Sequence, residues 1–158
     1  MAWSTKKSVE EVVNEFELNG TTVFIDSNIL ISAFLNAEGR PAKFLKEARN
    51  LNCRLVTSQT NLRELWNVFE RKFPSKVLNF QLFMSENIQR GLEIVETPSY
   101  ELVLENEIRD AKDRPILRAA IFANADILLT GDKDFLDARA KIEKPKITSV
   151  DDLFYDRE

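Results

Sequence analysis

The chain has 158 residues, 44% of them hydrophobic and 30% charged, and a formal net charge of −4 at neutral pH. Such a chain is long enough to bury a core of its own, too apolar to be disordered, and too acidic to present a broadly basic nucleic-acid surface. It holds no histidine and one cysteine, Cys53, which excludes Ser–His and Cys–His nucleophiles, His-ligated zinc, a His general base and an intrachain disulfide.

No apolar run reaches the length of a membrane span, and the N-terminus lacks the basic-then-apolar pattern of a signal peptide, so a cytoplasmic protein is expected. Residues 1–20 are expected to form an N-terminal helical extension to a domain spanning 21–158. Ser8 and Glu11 have capping-box spacing, and Val9, Val12, Val13 and Phe16 form one stripe before a stop at Asn19-Gly20. Thr22 to Ile25 is a buried-type strand ending in Asp26-Ser27-Asn28, followed by a helix with Ile29, Leu30, Ala33 and Phe34 on one face. Pro41 begins another helix, carrying Phe44, Leu45 and Ala48.

The second strand is expected near 53–57. Ser58 or Thr60 caps the helix after it, whose stripe is Leu62, Leu65, Trp66, Phe69 and Phe73. Pro74 opens a helix to about Arg90 that ends with Gly91 at C′. A third strand covers 92–96, and the stretch 100–109, which fits neither pattern cleanly, is read as helix. Next comes an apolar helix over roughly 115–123, expected to be buried between other elements, with Asp113 at its head. Ile127 to Thr130 is a short apolar run of the kind found in a parallel strand covered on both faces. It breaks at Gly131 and delivers Asp132 and Asp134 to the edge of the sheet. A short helix near 134–140 and a strand at 146–150 complete the series. Alternating strands and helices specify an α/β protein with a parallel sheet, whose ligands bind outside the carboxyl ends of the strands.

Four acidic residues fall at that edge: Asp26, Glu64, Asp113 and Asp132, with Asp110 and Asp134 as neighbours. Each has a plain structural explanation. The three aspartates can cap the helices that follow them. Glu64 lies off the apolar stripe of its helix, where a glutamate is ordinarily solvated. Together, however, they repel one another unless a cation is present. Hard divalent ions such as Mg²⁺ or Mn²⁺ take oxygen ligands and serve phosphodiester hydrolysis. Ser27, Asn28 and Thr130 either orient such ligands or cap backbone groups. Lys112, Arg114 and Lys133 flank the acidic turns, to meet substrate phosphates or to balance nearby acids.

The ordered set FIDSNILISAFL, LRELW, RDAKDRPILRAA and ILLTGDKDF resembles the successive motifs of the PIN-domain family, closest to the prokaryotic VapC-like toxins of toxin–antitoxin pairs. The resemblance covers roughly residues 21–153. It implies a three-layer α/β/α sandwich around a parallel sheet of about five strands, and a Mg²⁺- or Mn²⁺-dependent endoribonuclease. The family's acidic positions carry over to Asp26, Glu64, Asp113 and Asp132, with Asp134 and Asp110 as auxiliary ligands. Asp113 rather than Asp110 takes the family position because it directly heads the apolar helix. The resemblance further implies an RNA substrate, a small antitoxin protein over the acidic cleft, and a homodimer.

Two other readings compete. One is a PIN-like module that binds RNA or protein without cutting. The other is a phosphatase of the haloacid-dehalogenase type, whose usual pattern has a second aspartate where this chain has Asn28.

Overall fold

The computed structural model describes residues 3–15 and 18–157. Its first element departs from the expected helical extension. A strand, β1 (Trp3–Lys6), pairs antiparallel with the last strand, β7 (Tyr155–Arg157), and the helix α1 is confined to Val9–Glu15. Val9, Val12 and Val13 of the predicted stripe are buried in the main core, so the segment packs on the domain through that stripe. Phe16 lies outside the described residues.

The central sheet has five parallel strands: β2 (Thr22–Ile25), β3 (Arg54–Ser58), β4 (Glu93–Val95), β5 (Ile127–Leu129) and β6 (Lys146–Thr148), in the order β4-β3-β2-β5-β6. Successive side chains of a strand point to opposite faces, and both faces of this sheet are covered. Val23, Ile25, Leu55, Ile127 and Leu129 face one core, shared with α1, α2 (Ser27–Leu35), α3 (Arg40–Glu47), α4 (Gln59–Lys72) and α5 (Val77–Gln89). Phe24, Val56, Leu128 and Ile147 face the other, with α6 (Arg114–Phe122) and α7 (Lys133–Ala138). The result is the three-layer α/β/α sandwich expected. A last short helix, α8 (Val150–Phe154), adds Leu153 and Phe154 to the first core.

Three further elements differ from the sequence reading. The stretch expected to be helical near 100–109 is a single 3₁₀ turn, Val103–Glu107. The carboxylate of Glu105 accepts the Leu102 N–H at 2.6 Å and two bonds from Arg118, Nε and Nη2 each at 2.8 Å. The turn is therefore anchored to α6 by side chains instead of being extended by its own backbone. The helix from Pro74 is divided into a 3₁₀ turn (Pro74–Lys76) and α5, with Gly91 beyond it at φ 115°. Finally, α6 is not enclosed on all sides: Ile116, Leu117, Ala119 and Ala120 are buried, but Phe122 is exposed.

Four phenylalanines bind α2, α4 and α5 to one another. Phe69 stacks on Phe80 with ring centroids 4.2 Å apart, and Phe34 meets Phe69, Phe80 and Phe83 edge-on at 5.3 to 5.5 Å. Phe69 is wholly buried, so Phe69→Ala leaves a cavity at the centre of this cluster. The expected loss is about 3–5 kcal/mol, read as a lower urea midpoint at an unchanged slope.

Candidate functional site

The parallel pairing of β2 with β5, with Ile25 opposite Leu129, brings the ends of those strands level. The sheet order reverses between them, since β3 and β4 lie on one side of β2 and β5 and β6 on the other. A crevice opens at the carboxyl ends of the strands at such a reversal.

Asp26 follows β2 directly and is only 3% exposed. One oxygen, Oδ1, accepts the Ser27 backbone N–H at 2.7 Å and caps α2. The other, Oδ2, accepts the Thr130 hydroxyl at 2.7 Å and Asn28 Nδ2 at 3.2 Å. Asn28 Oδ1 accepts the Gly131 N–H at 2.9 Å, and Thr130 Oγ1 accepts that of Asp132 at 3.0 Å. Asn28 and Thr130 thus tie the Asp26 carboxylate to the turn after β5, while Ser27 contributes its backbone.

Asp132 caps α7 by accepting the Asp134 N–H at 2.9 Å. Asp113 heads α6, but no backbone N–H reaches its side chain. Capping therefore accounts for one oxygen of Asp26 and one of Asp132, and for neither oxygen of Asp113.

An open cleft of about 540 Å³ lies over this edge. Asp110, Asp113, Asp132 and Asp134 line it, together with Lys112. Its opposite wall is α4, which presents Thr60, Arg63, Glu64 and Asn67 at i, i+3, i+4 and i+7, one face of a helix. Carboxylate oxygens of Asp110, Asp113 and Asp134 come within 4.8 Å of one another. Asp134 is also ion-paired with Arg109, and Asp110 Oδ1 accepts the Lys112 N–H at 3.0 Å.

Burial raises the Asp113 carboxyl to about 7, reinforced in turn by the negative charges of Asp132, Asp110, Asp26 and Glu64. Burial likewise raises Asp26 to about 6 against its bonds from Thr130 and Ser27, and Glu64 and Asp132 add to the rise. Glu64 is raised by burial and by Asp132. These carboxylates form one electrostatic unit. The donors are all oxygens, several without a hydrogen-bonding partner among the described residues, and such a set suits a hard divalent cation.

Of the cations expected to flank the site, Lys112 lines the cleft. Lys133 stands exposed at the start of α7, and Arg114 turns away, donating from Nε to the Ile108 carbonyl at 3.0 Å beside Glu105 and Arg118. The sequence reading passed over Arg63 and Asn67, whose shared face with Glu64 was available from spacing alone. It also missed a buried clasp between strand ends. Thr57 donates to the Ile25 carbonyl at 2.9 Å, Asn61 Nδ2 donates to Thr57 Oγ1 at 3.2 Å, and Ser58 caps α4 by accepting the Asn61 N–H at 3.1 Å. This clasp holds the first turn of α4, and with it Glu64, against the end of β2 where Asp26 begins.

An open parallel sheet with a desolvated carboxylate cluster at its reversal point is an α/β protein with its polar site on the sheet edge. Residues 22–134 match the PIN domain family model, and the chain belongs to that family. Among solved structures, its fold is similar to that of a chain in the crystal structure of VapBC2 from Rickettsia felis bound to a DNA fragment from their promoter. The TM-score is 0.61 at 19% identity, over 85% of this chain and 99% of that one. At this identity the likeness is one of fold. No curated protein sequence matches the chain. No helix among the described residues is long and apolar enough to cross a membrane.

The raised carboxyls make stability depend on pH. In the metal-free protein the folded state keeps protons on Asp26 and Asp113 that the unfolded chain has already released, so stability falls as pH rises from about 4 to about 7. Moving the buried Asp26 carboxyl from 3.8 to about 6 corresponds to roughly 3 kcal/mol across that window. Urea midpoints measured in EDTA should decline over it, and Asp26→Asn should flatten the decline.

Proposed function

We propose that the chain is a Mg²⁺- or Mn²⁺-dependent endoribonuclease of the cytoplasm, the toxin of a toxin–antitoxin pair, with Asp26, Glu64, Asp113 and Asp132 as its catalytic and metal-holding residues. One observation carries the reading: Asp110, Asp113, Asp132 and Asp134 line one cleft with Glu64 on its opposite wall, and carboxylate oxygens of Asp110, Asp113 and Asp134 come within 4.8 Å of one another. A cluster so destabilised by its own charge is suited to a cation, and membership of the PIN domain family supports a nuclease.

In this mechanism Asp26, Glu64, Asp113 and Asp132 would hold the cation, with Asp110 and Asp134 as auxiliary oxygens. A bound Mg²⁺ or Mn²⁺ supplies positive charge to a phosphodiester and makes water a better nucleophile. Asn28 and Thr130 orient Asp26 through its Oδ2. Asp113, with neither oxygen engaged in capping, can offer both to the cation, and in a chain without histidine proton transfer would go through a carboxylate off the cation or through solvent. Lys112 lies on the cleft to meet phosphate.

The partner that keeps such an enzyme in check is a small antitoxin protein. The Rickettsia felis neighbour belongs to a VapBC2 complex, which supports this reading, and an inserted Arg or Lys suits an acidic cleft. A homodimer is the expected assembly, and α5 leaves Leu78 and Leu82 exposed beside an apolar groove that also takes in Trp66 and Ile88. A strict monomer by light scattering would remove the dimer from the proposal.

The decisive experiment is cleavage of a mixed RNA pool by purified protein in Mn²⁺, Mg²⁺ or EDTA, alongside Asp26→Asn and Asp113→Asn. The expected result is metal-dependent cutting that each substitution lowers by roughly 100-fold or more. Equal cutting by wild type and variants would expose a contaminant. Metal should also raise the melting temperature of the wild type. At 100 times its dissociation constant it stabilises the folded state by about 2.7 kcal/mol, and the Asp113→Asn variant should lose much of that gain. Absence of both cutting and stabilisation at millimolar metal would leave a non-cutting binding module.

A further inference from the structure

We propose that one face of α4 guides the substrate strand past the carboxylate cluster, with Arg63, Asn67 and Arg71 holding successive phosphates of a single-stranded RNA and Lys112 facing them across the cleft. The proposal rests on the nuclease reading above and adds the path on which the substrate lies.

Arg63, Asn67 and Arg71 are four residues apart and rise along a single face of α4, all of them exposed. Each step is about 6 Å along the helix, of the order of the distance between neighbouring phosphates in an extended strand. The first two line the cleft beside Glu64, and Arg71 continues the row one turn beyond it.

The pairing pattern of the arginines singles this face out. Every other arginine between residues 40 and 139 is bonded within the protein. Most engage a carboxylate, Arg49 reaches Asn87 and Arg114 the Ile108 carbonyl. Among the described residues the side chains of Arg63 and Arg71 make no ion pair or hydrogen bond. The neighbouring Glu70 accepts its bond from Trp66 instead. Acids outnumber bases in this chain, so guanidinium groups left unpaired beside a carboxylate cleft stand out. A guanidinium binds phosphate through two parallel N–H donors, and Asn67 adds an uncharged donor between the two. Such a row also answers a physical difficulty. The carboxylates repel the nucleic-acid backbone, and cations on the cleft walls are needed to keep a strand close to them.

The test is kinetic. KM and kcat are measured on a short mixed-sequence single-stranded RNA in Mn²⁺, over a series of KCl concentrations, for wild type, Arg63→Gln, Arg71→Gln, Arg63→Lys and the control Arg90→Gln. Removing one phosphate contact should raise KM and make the negative slope of log(1/KM) against log[KCl] shallower by about 0.7, the single-strand value per contact. Arg71→Gln should leave kcat unchanged, Arg63→Lys should keep the salt slope, and Arg90→Gln should behave as wild type. Both arginines are exposed, so melting temperatures should not move. A wild type that cuts RNA while both glutamine variants keep its salt slope would overturn the track and leave the nuclease reading standing. A wild type that does not cut this RNA at any KCl concentration would overturn both.

Discussion

The carboxylate of Asp26 is almost wholly out of water at the end of the central strand, and the rest of the site is arranged around that fact. Burying a charge is unfavourable unless hydrogen bonds or a counter-charge compensate it. Ser27, Asn28 and Thr130 supply the hydrogen bonds, and in doing so they fix the turn after β5 to the start of α2. Protein cations do not supply the counter-charge: the charges felt by Asp26 are those of Glu64 and Asp132, both of the same sign. A cluster built this way is held together by the fold while its own electrostatics push it apart.

The fold bears that strain through its two cores. Alternate residues of β2 and β5 enter opposite cores, so these strands are clamped from both faces, and their pairing register levels the ends that carry Asp26 and Asp132. On the α4 side, the phenylalanine cluster and the Thr57–Ser58–Asn61 clasp leave the helix little freedom to carry Glu64 away. Stability far from the cleft thus serves the cleft.

Much of this was legible in the sequence because it depends on local patterns. Short apolar runs ending in Asp26 and at Gly131 announced buried parallel strands, and the alternation with helices indicated where the sheet would present its ligand edge. Spacing also placed Asp113 at the head of α6 and Glu64 near the start of α4. What escaped was non-local. Glu105 and Arg118 stand 13 residues apart with no shared period, and nothing in a linear reading pairs them. Nor can spacing foretell that Arg114 will reach back to a carbonyl while Arg63 bonds to none of the described residues. The strand at Trp3–Lys6 was hidden for the same reason, since it pairs with a strand at the far end of the chain.

The forked bond between Arg118 and Glu105 has a consequence for how this chain can vary. Both side chains are nearly buried, and Arg118 also reaches the Pro98 carbonyl at 2.9 Å. Changing one partner alone strands the other charge in the interior, whereas exchanging both for apolar groups of similar volume can be neutral or better. A viable replacement therefore lies two mutations away, across an intermediate that folds poorly. The segment they anchor leads directly to Asp110 and Asp113, so a lineage crossing that valley would also loosen, for a time, the acidic arm of the cleft.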